Sequence, residues 1–237
     1  MSEDKKKKYL KQSHSLVEAK YNISNEEMNF ILILMSKVWK NDDDFKFSEI
    51  SFDEYKELTK TEKNFNRFKE LGRGILGKYV EIENKKPGKR TWKGITWLSS
   101  FEIIENTGIA KVKFSEDMKP YLLNLGEGNP YVKVDLLEKT KLKSFYSKRI
   151  YDLLVKYQKY GSYTVEVSKL QEMYNVPKSM LIYSQFKQKV LDVALKEINE
   201  KTFLKFNYDV FEKRGKKITK IKFNIKKRQE PKVPELT

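Results

Sequence analysis

The sequence predicts an α+β fold that consists of two tandem winged-helix domains. Apolar residues recur at three- and four-residue spacing between positions 181 and 200, which predicts a helix. Two segments of alternating apolar and polar residues follow, at 203–210 and 218–225, and a tip rich in Lys and Arg separates them. The same order of helix, helix, turn, helix and hairpin occurs about 120 residues earlier. A helix followed by a hairpin with a cationic tip is typical of a winged helix, so we predict two of them.

The charge of the chain restricts the class of its partner. The 237 residues include 49 Lys and Arg against 33 acids, which gives a net charge of +16. Eleven Lys and Arg stand against two acids between Lys201 and Arg228, so a net charge of +9 is concentrated there. An excess of this size indicates a polyanionic partner, either nucleic acid or an anionic membrane surface.

Other features of the composition exclude several classes of protein. No apolar run approaches the roughly 18 to 20 residues that cross a bilayer. The absence of cysteine excludes disulfides, cysteine-rich zinc sites and thiol nucleophiles. We therefore expect a soluble, cytoplasmic protein without membrane contact.

The helix predicted at 181–200 has one apolar and one polar face. The apolar face consists of Phe186, Val190, Val193, Ala194 and Ile198. At about 100° per residue the opposite face carries Gln185, Gln188, Lys189, Asp192, Lys196 and Asn199. The major groove of DNA admits one helix, in which Lys can donate to guanine and Gln can pair bidentately with adenine. This chemistry predicts that Gln185, Gln188 and Lys189 read bases of double-stranded DNA.

The first half of the chain contains the same kinds of segment. A capping box at Ser24-Asn25-Glu26-Glu27 predicts a helix from there to about residue 39. Further helices are predicted at 47–58 and at 61–76, where the inward residues are Phe65, Phe68, Leu71, Ile75 and Leu76. The polar residues that begin the third helix, Lys63, Asn64, Asn66 and Arg67, have base-reading chemistry like that of the second half.

Each predicted hairpin has a cationic tip. Strands predicted at 78–83 and 91–98 flank the first tip, which carries Lys85, Lys86, Lys89 and Arg90. The second tip carries Lys213, Arg214, Lys216 and Lys217. Tips of this charge suit phosphate or minor-groove contacts. Solvated helix faces and charged hairpin tips are common, so the prediction of DNA contact depends on their joint occurrence in a repeated unit.

The breaker cluster Gly126-Glu127-Gly128-Asn129-Pro130 separates the two predicted domains. We predict a disordered basic tail at 1–14, a first winged-helix domain at 15–128, a second at 129–228 and a disordered tail at 229–237. The second domain is predicted to begin with a helix at 141–160 and to be the principal DNA reader. We expect any homodimer contact in the first domain, at Ile31, Leu34 and Val38.

The chain contains no catalytic constellation. Gly72-Arg73-Gly74-Ile75-Leu76-Gly77 matches G-x-G-x-x-G, but it ends a predicted helix and precedes a strand, the reverse of a dinucleotide site. The only histidine is His14, and Asp42, Asp43 and Asp44 fit the end of a helix better than a metal site. We therefore predict a protein that is not an enzyme and has no cofactor or metal.

Several segments resemble the plasmid replication initiators that bind iterons, the repeated sequences of plasmid origins. The resemblance covers about residues 15–226 and is most specific at 142–154 and 183–199, with Lys201-Thr202 and the hairpin at Gly215. It implies two winged-helix domains, origin opening together with a host helicase and initiator, and repression of the protein's own promoter. It also implies that Lys187, Gln188 and Lys189 lie in the principal recognition helix, and that Ser147-Lys148-Arg149-Ile150-Tyr151-Asp152 serves the core and phosphate positioning. Ser184 lies in the same helix, and with Lys187, Gln188 and Lys189 it completes the predicted set of DNA contacts.

Two other functions remain open at this point. A winged-helix transcriptional repressor without an initiator role would use the same surfaces, and an inverted repeat beside the coding region would favour it over direct repeats. A nicking enzyme of rolling-circle replication would form a covalent tyrosine adduct on supercoiled DNA.

Overall fold

The computed structural model describes residues 9–38, 42–61, 64–86, 88–126 and 128–227, without the side chains of 84–86, 89 and 227. The first half contains β1 (Tyr9–Ser13), α1 (His14–Val17), α2 (Asn25–Met35), β2 (Ser48–Ser51), α3 (Phe52–Thr59), α4 (Phe65–Leu76), β3 (Tyr79–Lys86), β4 (Lys89–Thr96), β5 (Leu98–Ile104), β6 (Ile109–Phe114) and α5 (Lys119–Leu122). The second half contains β7 (Tyr131–Asp135), α6 (Leu136–Lys141), α7 (Phe145–Tyr157), β8 (Ser162–Glu166), α8 (Val167–Met173), α9 (Tyr183–Phe186), α10 (Asp192–Lys201), β9 (Leu204–Arg214) and β10 (Lys217–Lys227).

Two copies of one arrangement confirm the predicted tandem winged-helix fold. Helix, strand, helix, helix and two strands follow one another as α2, β2, α3, α4, β5 and β6 in the first copy. The second copy is formed by α7, β8, α8, the α9–α10 helix, β9 and β10. The strands form antiparallel sheets of order β2-β6-β5 and β8-β10-β9, so the third strand lies in the middle of both.

A two-stranded sheet corrects the prediction that residues 1–14 form a disordered tail. Strand β1 pairs antiparallel with β7, from Tyr9 opposite Asp135 to Ser13 opposite Tyr131. Leu10 is buried against the same core as Val132 and Val134, so apolar burial holds the strand in place. The lysine run directly before β1 predicts a solvated tail, and the alternation of the strand itself is only five residues long. Residues 1–8 and 228–237 lie outside the described residues, and the predicted domain boundary at 128 stays a prediction.

Helix α2 begins as predicted and is buried more completely than predicted. The Ser24 hydroxyl accepts from the Glu27 amide (3.1 Å), and the Glu27 carboxylate accepts from the Ser24 amide (2.6 Å), which forms the expected capping box. Ile31 and Leu34 are buried inside the chain, and Val38 is partly buried against the same core. The expected dimer contact at these residues is therefore wrong. The broad apolar surface of α2 suggested a partner subunit, but the protein's own core covers it.

Several predicted helices are shorter than expected. Residues 48–51 of the helix predicted at 47–58 form strand β2, and Ser51 caps α3 by accepting from the Glu54 amide (3.0 Å). Helix α4 starts at Phe65, and both Phe65 and Leu76 are exposed although they were expected to face inward. Of the helix predicted at 141–160, Phe145–Tyr157 forms α7 with Ser144 as its N-cap, and Lys141 is the last residue of a separate helix, α6.

The glycine motif lies at the end of α4, as predicted, and two of its glycines have a packing role in addition. A β-carbon on Gly72 would lie 2.6 Å from the ring of Phe101, and one on Gly74 would meet the Glu27 carboxylate that caps α2. Gly77 is the C-cap of the helix. The spacing of these glycines is therefore explained by the close approach of α4 to β5 and α2.

Buried cations on α6 and α7 join the two halves of the chain. The Lys139 ammonium pairs with the Asp152 carboxylate at 2.6 Å, and both are almost fully buried. The Arg149 guanidinium donates to the carbonyls of Val17 (3.2 Å) and Ala19 (2.7 Å), and it lies 3.7 Å from the ring centroid of Tyr21. Burial removes Lys148 and Arg149 from any phosphate, so the phosphate role implied for residues 147–152 is wrong and only the core role remains.

Lys148, like Arg149, is a buried cation without a carboxylate in hydrogen-bond contact. Its ammonium group donates to the Leu142 carbonyl and to the Asn25 side-chain oxygen, two neutral acceptors. Burial, assisted by the nearby charge of Lys139, lowers the pKa of Lys148 to about 7. A neutral amine has two N–H donors, which matches these two acceptors.

This environment predicts a pH dependence of folding. The unfolded chain binds a proton at Lys148 up to pH values near 10.5, whereas the folded chain loses it near pH 7. We therefore expect the free energy of unfolding to rise with pH between 7 and 9, by up to about 1.4 kcal/mol per pH unit. Urea denaturation at several pH values measures this slope. The Lys148→Met variant should be less stable but should lose the slope, and an equal slope in both proteins would contradict the assignment.

Candidate nucleic-acid interface

The candidate recognition helix comprises α9, a π-helical segment at Lys187–Leu191, and α10. Its buried residues are Phe186, Val190, Leu191, Ala194 and Ile198. Val193, predicted to face inward, is 36% exposed, and Leu191 is buried in its place. The π segment explains this exchange, because its wider turn shifts the residues that follow relative to a regular α-helix.

The same π segment presents three consecutive polar residues to solvent. Lys187, Gln188 and Lys189 are all exposed, between buried Phe186 and buried Val190. Ser184 is also exposed, and Gln185 is half-buried. All five residues predicted in this helix thus lie within Ser184–Lys189, where four of them are exposed and Gln185 is half-buried. π-helical turns occur frequently at functional sites.

A hydrogen bond from Tyr208 to Asp192 connects this helix to the hairpin β9–β10. The Lys187 ammonium contacts both oxygens of Asp192, at 2.8 and 3.0 Å, and the Tyr208 hydroxyl of β9 donates to the same carboxylate. Partial burial alone would raise the pKa of Asp192, but the hydrogen bonds from Lys187 and Tyr208 outweigh it and lower that pKa. Asp192 therefore holds the wing against the helix, a role that sequence spacing did not reveal.

A short connection before α9 holds the start of this helix. The Gln171 side-chain amide donates to the carbonyls of Met180 and Leu181, both at 3.0 Å. Ile182 is the N-cap, and its carbonyl accepts from the Phe186 amide at 3.0 Å. Helix α8 and the recognition helix are thereby fixed to each other as a helix-turn-helix unit.

The second wing has the predicted cationic tip. Strands β9 and β10 are joined at Gly215 and Lys216, and the φ of 58° at Gly215 suits glycine in this tight turn. Lys213, Arg214, Lys216 and Lys217 are exposed, with Arg214 81% exposed over its side chain. Nearer the helix, Glu212 pairs with Lys220 at 2.7 Å. Glu212 also contacts Arg214 at 3.5 Å, so within the described residues Lys213, Lys216 and Lys217 carry the charge of the tip that is outside any ion pair.

The first domain presents a weaker set of candidate contacts than predicted. Asn64 is the N-cap of α4 and accepts from the Arg67 amide at 3.1 Å, so its side-chain oxygen already has a partner. The Arg67 guanidinium pairs with Glu70 at 3.1 Å, and Asn66 is exposed. Lys63 lies outside the described residues.

The predicted first wing is wrong in its topology. The hairpin that corresponds to β9–β10 is β5–β6, because both form the last two strands of the three-stranded sheets. Its turn, Glu105-Asn106-Thr107-Gly108, contains no Lys or Arg. The ribbon β3–β4 is an additional hairpin between α4 and β5. Strand β5 escaped prediction because only Trp97 separates it from β4, without a breaker residue.

The cationic residues predicted for this wing belong to the additional hairpin. The backbones of Lys85 and Lys86 lie in β3 and that of Lys89 in β4, while their side chains lie outside the described set. Arg90 pairs with Glu83 at 3.0 Å. The wing that corresponds to β9–β10 therefore has no cationic turn, and DNA contact by Lys85, Lys86, Lys89 and Arg90 from the additional hairpin stays a prediction.

The described residues contain no group of three or more His, Cys, Asp or Glu side chains that could hold a metal ion. No helix among them has the length and apolar character that a membrane span requires.

The chain matches two family models along most of its length. Residues 9–155 match the model described as "Initiator Replication protein, WH1", and residues 166–225 match "Initiator Rep protein, WH2". These two regions contain, respectively, the first and most of the second copy of the repeated arrangement.

Individual relatives agree with these matches. The chain is 32% identical over 133 residues to the PI protein of Escherichia coli, an alignment that spans 50% of this chain and only 44% of that protein. It is 23% identical over 219 residues to an "Uncharacterized 27.6 kDa protein" of Escherichia coli, covering 86% of this chain and 90% of the relative.

A solved structure shares the whole fold. The crystal structure of the Pi initiator protein in complex with iteron DNA superposes with a TM-score of 0.74, at 18% identity, over 95% of this chain and 99% of that one. At this identity the likeness shows the fold. Because the family models together match well over half of its residues, the chain belongs to the initiator replication protein family.

Proposed function

We propose that this protein is a plasmid replication initiator that binds double-stranded origin repeats, or iterons, and has no catalytic activity of its own. The observation that carries the proposal is the exposed stretch Ser184–Lys189, which begins the second helix of a helix-turn-helix unit and lies beside a cationic wing. The family membership supports this role, and the Pi protein, which shares the fold, was crystallised with iteron DNA.

The two parts of the interface would make different kinds of contact. Gln185, Gln188 and Lys189 can reach base edges when the recognition helix lies in the major groove. The wing tip, with Lys213, Arg214, Lys216 and Lys217, suits phosphates, which carry no sequence information. Lys187 is drawn toward Asp192, so its main role would be to hold the wing and helix together. Sequence preference and general affinity should therefore separate by mutation.

Two single variants test this separation. Lys189→Ala should lower affinity for the preferred sequence and reduce discrimination among sequences, by about 1–3 kcal/mol at one base position. Lys216→Ala should weaken binding to all sequences alike and reduce the salt dependence of binding. Titration of both variants against the preferred duplex and against single-base changes measures the difference. Identical behaviour of the two variants would contradict these roles.

A footprint on the DNA that encodes the protein tests the function itself. We expect the protein to protect several direct repeats near the coding region. When the host helicase and initiator are also present, as in the cytoplasm, the adjacent duplex should open. Protection of one inverted repeat alone would favour a repressor. Repression of the protein's own promoter is a further expectation.

A nicking activity is tested separately. Supercoiled origin DNA incubated with the protein and magnesium should stay intact, because a tyrosine adduct would indicate a nicking enzyme instead.

A further inference from the structure

Two large aliphatic side chains stand exposed where the recognition helix begins. Leu181 is 56% exposed and Ile182 is 64% exposed, and they are adjacent in the chain. Gln171 holds the carbonyls of Met180 and Leu181 by two hydrogen bonds of 3.0 Å each. The backbone that carries both side chains is therefore fixed, and their exposure is a property of a well-held segment.

Ile182 occupies a position where an apolar residue costs helix stability. Six other helices have an N-cap side chain that accepts from a backbone amide, namely Ser13, Ser24, Ser51, Asn64, Asp135 and Ser144. Ile182 offers no such acceptor, and no side-chain hydrogen bond caps α9. Ser, Thr, Asp or Asn is strongly preferred at an N-cap. Single exposed aliphatic residues need no explanation. Ile182 needs one, because it takes the place of a capping residue and lies next to a second exposed aliphatic residue, Leu181.

The position of these residues limits what can cover them. Residues three apart share one side of a helix, so Ile182 lies on the side of Gln185, a predicted base-reading residue. The residues at the N-terminal end of a recognition helix are the ones that contact base edges in helix-turn-helix proteins. Within the major groove the apolar group that a base presents is the 5-methyl group of thymine.

We propose that Leu181 and Ile182 read thymine by packing against its 5-methyl groups in the major groove. This inference deepens the proposed DNA binding and depends on it. Gln and Lys recognise hydrogen-bonding edges, whereas these two side chains distinguish thymine from cytosine by an apolar contact. The interface would thus require thymine at one or two positions next to those read by Gln185 and Gln188.

Replacing thymine by deoxyuridine tests the contact directly. A preferred duplex is first selected from a random-sequence library with the full chain, and each of its thymines is then replaced singly by deoxyuridine. This change removes the methyl group and leaves every hydrogen-bonding group in place. We expect the wild-type protein to lose about fourfold in affinity at one or two positions, the effect of one buried methyl group, and to be unaffected elsewhere.

Protein variants identify the side chain that makes the contact. Ile182→Ala and Leu181→Ala should bind the thymine duplex more weakly and should lose the penalty for deoxyuridine at the sensitive position. Ile104→Ala removes an exposed aliphatic side chain of β5, 37% exposed, and should keep the wild-type penalty. Circular dichroism verifies that each variant is folded, and only folded variants enter the comparison.

The outcomes separate this inference from the function on which it depends. If selection enriches no sequence, the proposed sequence-specific binding is wrong. If a sequence is enriched but no deoxyuridine substitution weakens binding, or if both alanine variants keep the full penalty, thymine reading by Leu181 and Ile182 is wrong while the initiator function stands.

Discussion

Binding of the full chain to its target duplex is expected to weaken by about three decades when the salt concentration rises from 50 to 200 mM. The second domain presents six exposed cations: Lys189, Lys213, Arg214, Lys216 and Lys217 of the proposed DNA surface, and Lys178 in the short connection that precedes the recognition helix. Each phosphate neutralised by such a group releases counterions, so the logarithm of affinity falls with the logarithm of salt by about 0.9 per contact. Six contacts therefore give about three decades, and any contact that the cations of the first domain make would add to this.

A charge-matched pair of variants tests the location of these contacts. Replacing Lys213, Arg214, Lys216 and Lys217 together by Gln should remove about four contacts and reduce the slope of the salt plot by about 3.6. Replacing the exposed residues Lys46, Lys141, Lys143 and Lys159 by Gln changes the net charge equally and should leave the slope nearly unchanged. Fluorescence anisotropy over a salt series measures both. A flat salt dependence of the wild type, or equal slopes for the two variants, would contradict binding through the wing.

The features that sequence predicted well are those fixed by local physical chemistry. The capping box at Ser24 and Glu27 depends on four consecutive residues, and the two-residue turn at Gly215 depends on glycine's access to positive φ. The alternation of β9 and β10 and the cationic tip between them were likewise visible in the chain. These signals were sufficient for the fold class and for the second-domain surface.

The features that sequence missed depend on contacts between distant residues. Strand β5 follows β4 with no breaker, so only its pairing with β6 defines it, and the first wing was assigned to the wrong hairpin. The π segment at Lys187–Leu191 has no sequence signature, and it moved Val193 outward. The segment 147–152 was expected to position phosphate as well as to serve the core, since the complete burial of Lys148 and Arg149 is revealed only by the partners that surround them.

The largest effect on stability is expected from Asp152→Asn, which should lower the free energy of unfolding by about 3–5 kcal/mol. The side chains of Asp152 and Lys139 are each 1% exposed. The Lys139 ammonium lies 2.6 Å from a carboxylate oxygen of Asp152 and forms an ion pair with it. Burial lowers the pKa of Lys139, and the Asp152 charge opposes that shift. Without the carboxylate, the buried ammonium has to give up its proton or remain as an uncompensated charge, and either change costs free energy.

Urea denaturation, followed by circular dichroism, measures this loss. Glu116→Gln is a control that breaks two surface ion pairs, with Lys113 at 2.8 Å and with Lys119 at 2.6 Å, and it should cost much less than Asp152→Asn. Replacing both buried partners, as Lys139→Met with Asp152→Leu, should recover most of the loss, because an apolar pair of similar volume needs no desolvation of charge. A loss below about 1 kcal/mol for Asp152→Asn would mean that water reaches this pair and compensates the Lys139 charge, which would contradict the burial of both side chains.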